Sequence, residues 1–252
     1  MKLVMKHIKG KENDMEINKI HQGDCLELMK DIPDKSVDMI LCDLPYGTTK
    51  NKWDCVIDLE LLWEQYERII KDNGAIVLTS DGIFTAKLLM SKEKLWRYNL
   101  VWDKKRGVDF LNANRKILKS HEDICIFYKK QPTFNKQYWY STPYKKTKNG
   151  SLSDNYGKRE SAISESQDGK RNPLSILSFS RDGLRKHPTQ KPVELFKYLI
   201  KTYSNEEDLV LDNCIGSGTT AVACKQSNRN FIGIEKEQKY VDISNKRLEQ
   251  SS

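Results

Sequence analysis

Apolar residues in this chain fall into short continuous runs, separated by stretches where they recur every three to four positions. Residues 37–42, VDMILC, form a nearly unbroken apolar run, as expected of a strand buried on both faces of a parallel sheet. Residues 75–80, 208–213 and 230–235 have the same character, and 17–24, 98–104 and 122–130 read as further strands. Between them, residues 59–71 place Leu62, Tyr66, Ile69 and Ile70 on one helical face, with Asp72-Asn73-Gly74 as the stop. A second amphipathic helix starts after Pro192 and carries Val193, Phe196, Leu199, Ile200 and Tyr203 at helical spacing. Shorter helices are predicted at 25–32 and 83–90, after the glycines near 218, and at the end of the chain. Strands alternating with helices predict a doubly wound α/β fold on one mostly parallel sheet.

From 131 to 186 the periodicity fades into Ser, Asn, Lys and aromatic residues. That is too long for an ordinary loop, so it reads as a functional insertion or partly disordered. The expected layout is therefore one domain from 1–130 and 187–252, with an insertion at 131–186.

Charge sharpens this division. Of a net +8, residues 104–120 carry +5 and 131–186 carry +6, leaving −3 for the remainder. A slightly acidic body with basic inserts is the footprint of a protein that grips phosphates, although basic loops are often only solvated surface. No stretch approaches the roughly 20 apolar residues of a membrane span. The N-terminal segment is basic without the apolar core of a secretory signal. The six cysteines show neither a CxxC pair nor zinc-ligand spacing, so no metal is expected and a reducing cytoplasm is the natural setting.

Two segments carry candidate chemistry. In LVLDNCIGSGTTA, an apolar strand runs into Gly216 and Gly218 at a helix start. Gly216 would permit the tight turn, and Gly218 would let a ligand approach the backbone. Glu235 ends the next strand 19 residues after Gly216, placed to accept hydrogen bonds from ribose hydroxyls. On spacing alone a nicotinamide dinucleotide fits as well. Asp212 favours S-adenosylmethionine, because a carboxylate there can meet the methionine ammonium but would repel a pyrophosphate. Only one further strand follows the loop, so the sheet order must be permuted.

The second segment is Asp43-Leu44-Pro45-Tyr46-Gly47, at the carboxyl end of the 37–42 strand. An exocyclic amine conjugated to a base ring is a poor nucleophile. A carboxylate from Asp43 and the carbonyl of Leu44 or Pro45, accepting its two N–H groups, would draw the nitrogen toward sp3 geometry. Tyr46 could stack on a base swung out of the duplex. A strand-end Asp before a Pro-Tyr-Gly turn is also common without any such role.

Taken together, these motifs resemble the β-class DNA amino-methyltransferases, which act on adenine N6 or cytosine N4. The resemblance covers nearly the whole chain outside 131–186. It implies a Rossmann-like S-adenosylmethionine-dependent methyltransferase fold in circularly permuted order, with a target-recognition insertion. It also implies S-adenosylmethionine as cofactor and double-stranded DNA as partner. A bacterial or phage origin, restriction–modification and a homodimer are usual in that class. HQGDCLELMKDIPDKSVDMILCDLPYG resembles the family's opening, in which Asp24 would contact the cofactor's adenine. In HPTQKPVEL, Thr189 and Lys191 correspond to methionine-carboxylate ligands, and Cys25, Cys214, Thr219 and Thr220 complete the expected cofactor set with Asp43. Two departures stand out. Leu44 replaces the first proline of the usual Asp-Pro-Pro-Tyr but keeps a carbonyl, and Cys214 replaces an aromatic residue two positions before the first loop glycine. Asp rather than Ser before Pro-Tyr favours adenine within the family.

Several residues admit two readings. Trp53 could wall the flipped base or pack in the core. His187 reads as pocket structure and His121 as a strand-start residue. Lys105, Arg106, Arg115 and Lys116 would lie over target base or phosphates. Trp139, between Tyr138 and Tyr140 among lysines, suits DNA contact or a small core.

Overall fold

The computed structural model describes residues 15–47, 56–148, 151–153, 157–159, 162–181 and 190–251. Trp53, His187 and Thr189 lie outside the described residues. The chain divides into two compact units, one reaching Asn135 and resuming at Ser175, the other spanning Lys136–Leu174.

In the larger unit the strands are β1 (Lys19–Gln22), β2 (Val37–Asp43), β3 (Ile70–Ser80), β4 (Trp96–Val108) and β5 (Lys119–Phe127). In the smaller unit they are β6 (Trp139–Tyr140), β7 (Tyr144–Lys148), β8 (Ser151–Ser153), β9 (Gly157–Arg159), β10 (Ala162–Ser166) and β11 (Lys170–Arg171). The larger unit then adds β12 (Ile176–Ser178), β13 (Leu209–Asp212) and β14 (Asn230–Glu235). Its helices are α1 (Cys25–Leu28), α2 (Leu59–Ile69), α3 (Ile83–Ser91), α4 (Val193–Tyr203), α5 (Thr219–Gln226) and α6 (Gln238–Gln250).

One eight-stranded sheet runs in the order β1-β14-β13-β2-β3-β5-β4-β12. The first five strands are parallel, whereas β5 is antiparallel to both β3 and β4. The C-terminal strands β13 and β14 thus sit between β1 and β2, the permuted arrangement that the late glycine loop implies.

The continuous apolar runs exist because both faces of the sheet are covered. Ile40 and Cys42 of β2 and Ile76 and Leu78 of β3 point into a core with Leu62, Trp63, Tyr66, Phe84 and Leu88. Their neighbours Met39, Leu41, Ala75 and Val77 point into the opposite core, with Leu195, Phe196, Leu199 and Ile200. Each fully buried side chain of this kind contributes about 1.5–3 kcal/mol. Asp58 caps α2 by accepting from the N–H of Glu60 (2.9 Å) and Leu61 (3.2 Å), worth about 1 kcal/mol.

Three boundaries differ from the pattern-based expectation. Asp72-Asn73-Gly74 does not separate helix from strand. It lies inside β3, where the register against β2 shifts between Val37 and Met39. The basic stretch 104–120 is no loose insert. Its arms are the ends of β4 and β5, paired as far as Val108 with Lys119 across a register shift between Asp103 and Val108. Residues 175–181 group with the main unit rather than an insertion, because β12 adds to the sheet beside β4.

The smaller unit consists of three nested antiparallel ladders, β6 with β11, β7 with β10 and β8 with β9. Their sequences are mostly polar and charged, without regular apolar alternation, which hides the strand period from a hydropathy reading. Tyr138, Trp139 and Tyr140 are all exposed and form no core. Lys170 Nζ lies 4.0 Å from the Tyr138 ring centre, Arg171 lies 4.4 Å from that of Tyr144, and Trp139 Nε1 donates to the Asn172 carbonyl at 2.9 Å.

Candidate active site

The carboxyl ends of β13, β14, β1, β2 and β3 share one edge of the sheet, where open α/β folds place ligands. A cavity of about 520 Å3 opens there, within the size range of small-molecule sites. Asp24, Cys25, Asp43, Pro45, Tyr46, Lys191, Asp212, Cys214, Gly216, Thr219 and Glu235 all line it. Residues from 24 to 235 in sequence thus converge on one space.

At one end, β13 delivers Asp212 and the chain turns through Gly216 at φ +52° and Gly218 at φ +83° into α5. A Cβ on Gly216 would have only the Cys214 carbonyl within 4 Å, at 3.9 Å, so the backbone there is open to a ligand. Gly218 also meets a packing demand: a Cβ there would stand 2.6 Å from that of Ser244, so its missing side chain admits α6.

Glu235 accepts from the Gly216 N–H through Oε2 and from the Glu237 N–H through Oε1, each at 2.9 Å. A carboxylate has four lone-pair sites, so capacity remains for a ribose hydroxyl. Burial raises the carboxyl above its ordinary range.

Asp212 is 2% exposed and accepts from the Cys214 N–H at 3.1 Å and from the Thr220 hydroxyl. Among the described residues no lysine or arginine forms an ion pair with it, and burial pushes its pKa to about 7. A buried carboxylate in want of a cation is what a methionine ammonium would complete, so these residues fit S-adenosylmethionine. Asp24 caps α1, accepting from the Leu26 N–H at 3.0 Å, while Gly23 N–H donates to the Glu235 carbonyl at 2.9 Å and ties the two strand ends together.

The other end of the cavity belongs to Asp43. Its Oδ1 receives the hydroxyls of Tyr46, at 2.8 Å, and of Thr79 from the end of β3. Its Oδ2 receives the Lys191 ammonium at 2.6 Å. Lys191, read from sequence as a methionine-carboxylate ligand, lines the cavity and is engaged with Asp43 and, at 3.2 Å, with Glu122. The Tyr46 ring packs on Phe84 with centroids 5.2 Å apart and 28° between planes. Leu44 turns its side chain into the core at 3% exposure, so the position needs no second proline to hold it.

The remaining expected residues are elsewhere. Thr220 supports Asp212 from beneath rather than lining the cavity. Lys105, Arg106, Arg115 and Lys116 are exposed on the β4–β5 hairpin, with Lys116 paired to Asp109 at 2.5 Å. His121, also exposed, lies within β5 opposite Asp103. Trp139 belongs to the smaller unit. Sequence reasoning missed Thr79, Trp102, Glu122, Asn213 and Tyr240. Thr79 alone had a visible signal, as a polar residue ending an apolar run.

The profile of the DNA methylase family, which covers N6 and N4 enzymes, matches residues 37–246. The chain belongs to that family. It is 31% identical to the type II methyltransferase M1.MboII of Moraxella bovis, over 92% of this chain and 96% of that protein. It is 29% identical to M.HinfI of Haemophilus influenzae, over 92% of this chain and 68% of that protein. Among solved structures, the M1.HpyAVI complex with S-adenosylmethionine superposes with a TM-score of 0.63 at 28% identity, covering 91% of this chain and 99% of that one. The cytosine-N4-specific PvuII methyltransferase shares the fold, with a TM-score of 0.65 at 16% identity. The chain is a DNA methyltransferase that uses S-adenosylmethionine, and no described helix is long and apolar enough to cross a membrane.

Proposed function

We propose that this methyltransferase modifies N6 of adenine in double-stranded DNA, with Asp43 as the group that activates the amine. The observation that carries the reading is a count of acceptor sites. The Tyr46 and Thr79 hydroxyls stand on Asp43 Oδ1, with Tyr46 also 2.9 Å from the Thr79 hydroxyl, and Lys191 takes one of the two lone pairs on Oδ2. One acceptor site remains on Oδ2, at a carboxylate that lines the cavity.

Bound S-adenosylmethionine supplies an electrophilic methyl group on a sulfonium. Asp212 would hold its ammonium, Glu235 its ribose and Asp24 its adenine amino group. The open site on Asp43 Oδ2 accepts one N–H of the target amine, and the carbonyl of Leu44 or Pro45 accepts the other. Both bonds pull electron density onto nitrogen and turn its lone pair out of the base plane. The nitrogen becomes acidic once methylated and releases a proton without a strong base. Tyr46, fixed by its hydroxyl and by Phe84, stacks on a base flipped from the duplex. Lys105, Arg106, Arg115 and Lys116 contact phosphates, and the smaller unit, with Trp139, reads the target sequence.

Cytosine N4 presents a similar amine, and Asp in place of Ser before Pro-Tyr favours adenine. Nucleoside analysis of DNA labelled with methyl-tritiated cofactor tests this. N6-methyladenine is expected, while N4-methylcytosine would overturn the base assignment. Asp43→Ala should abolish transfer, and transfer at the unaltered rate would overturn the role of the carboxylate.

A further inference from the structure

Behind Asp43 runs a chain of buried charges that the reaction as described does not use. Lys191 Nζ stands 2.6 Å from Asp43 Oδ2 and 3.2 Å from Glu122 Oε2, and Lys104 Nζ stands 2.5 Å from Glu122 Oε1. The side chains of Lys104, Glu122 and Lys191 are 3%, 11% and 5% exposed, so water screens them little. β4 carries Lys104, β5 carries Glu122, the turn before α4 carries Lys191 and β2 carries Asp43. Four elements each contribute one charge, alternating in sign and summing to zero.

Charges in this setting are costly to bury and are retained where they do work or stay paired. Burial disfavours the Lys191 ammonium, but Asp43 and Glu122 outweigh it and hold the group above its usual range. Burial likewise opposes the Glu122 carboxylate, and Lys191 and Lys104 outweigh that and hold it below the usual carboxylate range. Glu122 Oε2 is nonetheless buried without a hydrogen bond, facing Lys191 at ion-pair distance only. Glu122 therefore attracts the ammonium without fixing its direction, and Asp43 keeps the hydrogen bond.

We propose that Glu122, backed by Lys104, is a positioning residue for methyl transfer, sharing the Lys191 ammonium with Asp43 so that the charge cluster behind the target amine stays neutral. The inference rests on the reading of Asp43 given above. Its physical content is charge balance. Loss of Glu122 leaves a net positive cluster where the amine nitrogen gains positive charge in the transition state, a destabilisation enlarged by the dry surroundings. Lys104 balances the charge of Glu122 in turn, with Arg181 as a further nearby cation.

The test is steady-state kinetics with calorimetric cofactor binding on Glu122→Gln, Lys104→Met and the double variant. Glu122→Gln should lower kcat by about tenfold to a hundredfold. KM for DNA and Kd for S-adenosylmethionine should stay within about threefold of the unaltered chain. Adding Lys104→Met removes the excess charge and should recover most of the lost kcat. Unaltered kcat in Glu122→Gln, or a double variant no faster than it, would overturn the proposal. So would a Kd that weakens in step with kcat, since that makes Lys191 a cofactor ligand. If Glu122→Gln does not fold, the double variant, which strands no buried charge, is read alone, and a kcat loss beyond about tenfold overturns the proposal. Loss of activity in Asp43→Ala with none in Glu122→Gln sinks only this inference. Retained activity in Asp43→Ala sinks the reading beneath it.

Discussion

Asp212→Asn gives the most direct quantitative test of the cofactor end of the site. Asp212 is buried at 2% exposure, and burial raises its pKa from 3.8 to about 7. Between those values the folded chain keeps a proton that the unfolded chain releases, so stability falls as pH rises. The contribution is nil below pH ~4, grows by about 1.4 kcal/mol per pH unit, and is complete above pH ~7. Integrated over that window, the ionised carboxylate costs the cofactor-free protein on the order of 4 kcal/mol. Asparagine has the same shape, can still accept from the Cys214 N–H, and never ionises. Cofactor-free Asp212→Asn should therefore gain stability relative to the unaltered chain as pH rises from 4 to 7. At about 2–4 °C per kcal/mol, the difference in Tm at pH 8 should be on the order of 10 °C.

The same substitution should damage cofactor binding. An ammonium docked on Asp212 needs the carboxylate ionised, so below pH 7 the Kd of the unaltered chain should weaken by about tenfold per unit. The asparagine variant should bind at least about tenfold more weakly at pH 7.5, with that pH slope gone. Melts across pH and titration calorimetry read both effects. A variant whose stability falls with pH as steeply as the unaltered chain, or which binds cofactor equally well, would refute the assignment.

Two further outcomes follow from the geometry. Gly218→Ala places a Cβ 2.6 Å from Ser244 Cβ at φ +83°, and should cost about 2 kcal/mol or more in urea unfolding. Adding Ser244→Gly should recover only part of the steric share, since the Ser244 Cα stays 3.1 Å away, and leave the backbone strain. Arg106→Ala, Arg115→Ala and Lys116→Ala combined should raise KM for DNA, and the slope of log KM against log salt should flatten by about 0.9 for each phosphate no longer neutralised; an unchanged slope places the hairpin away from the duplex.

Which parts of this architecture could be read in the sequence depends on whether a residue's role is local or shared. The parallel strands β2, β3, β13 and β14 were legible because burial on both faces writes an unbroken apolar run, and the glycine loop because Gly216 needs positive φ, whereas β12 lay hidden in the polar stretch. The ladders of the smaller unit were not, since their residues are mostly polar and charged. Asp43 was legible beside Pro45 and Tyr46, yet the groups that decide which of its lone pairs is free, Thr79 and Lys191, lie 36 and 148 residues away. Lys191 shows the difference most sharply. Its segment resembles a cofactor-contacting one, so sequence assigns it to the methionine carboxylate, while folding places it between two carboxylates from β2 and β5. Motif reasoning locates a reactive group, but the free acceptor sites of that group are set by neighbours that only the folded sheet brings together. In this chain the amine-activating acceptor is defined as much by Glu122 and Lys104, which carry no motif, as by the Asp-Leu-Pro-Tyr that announces it.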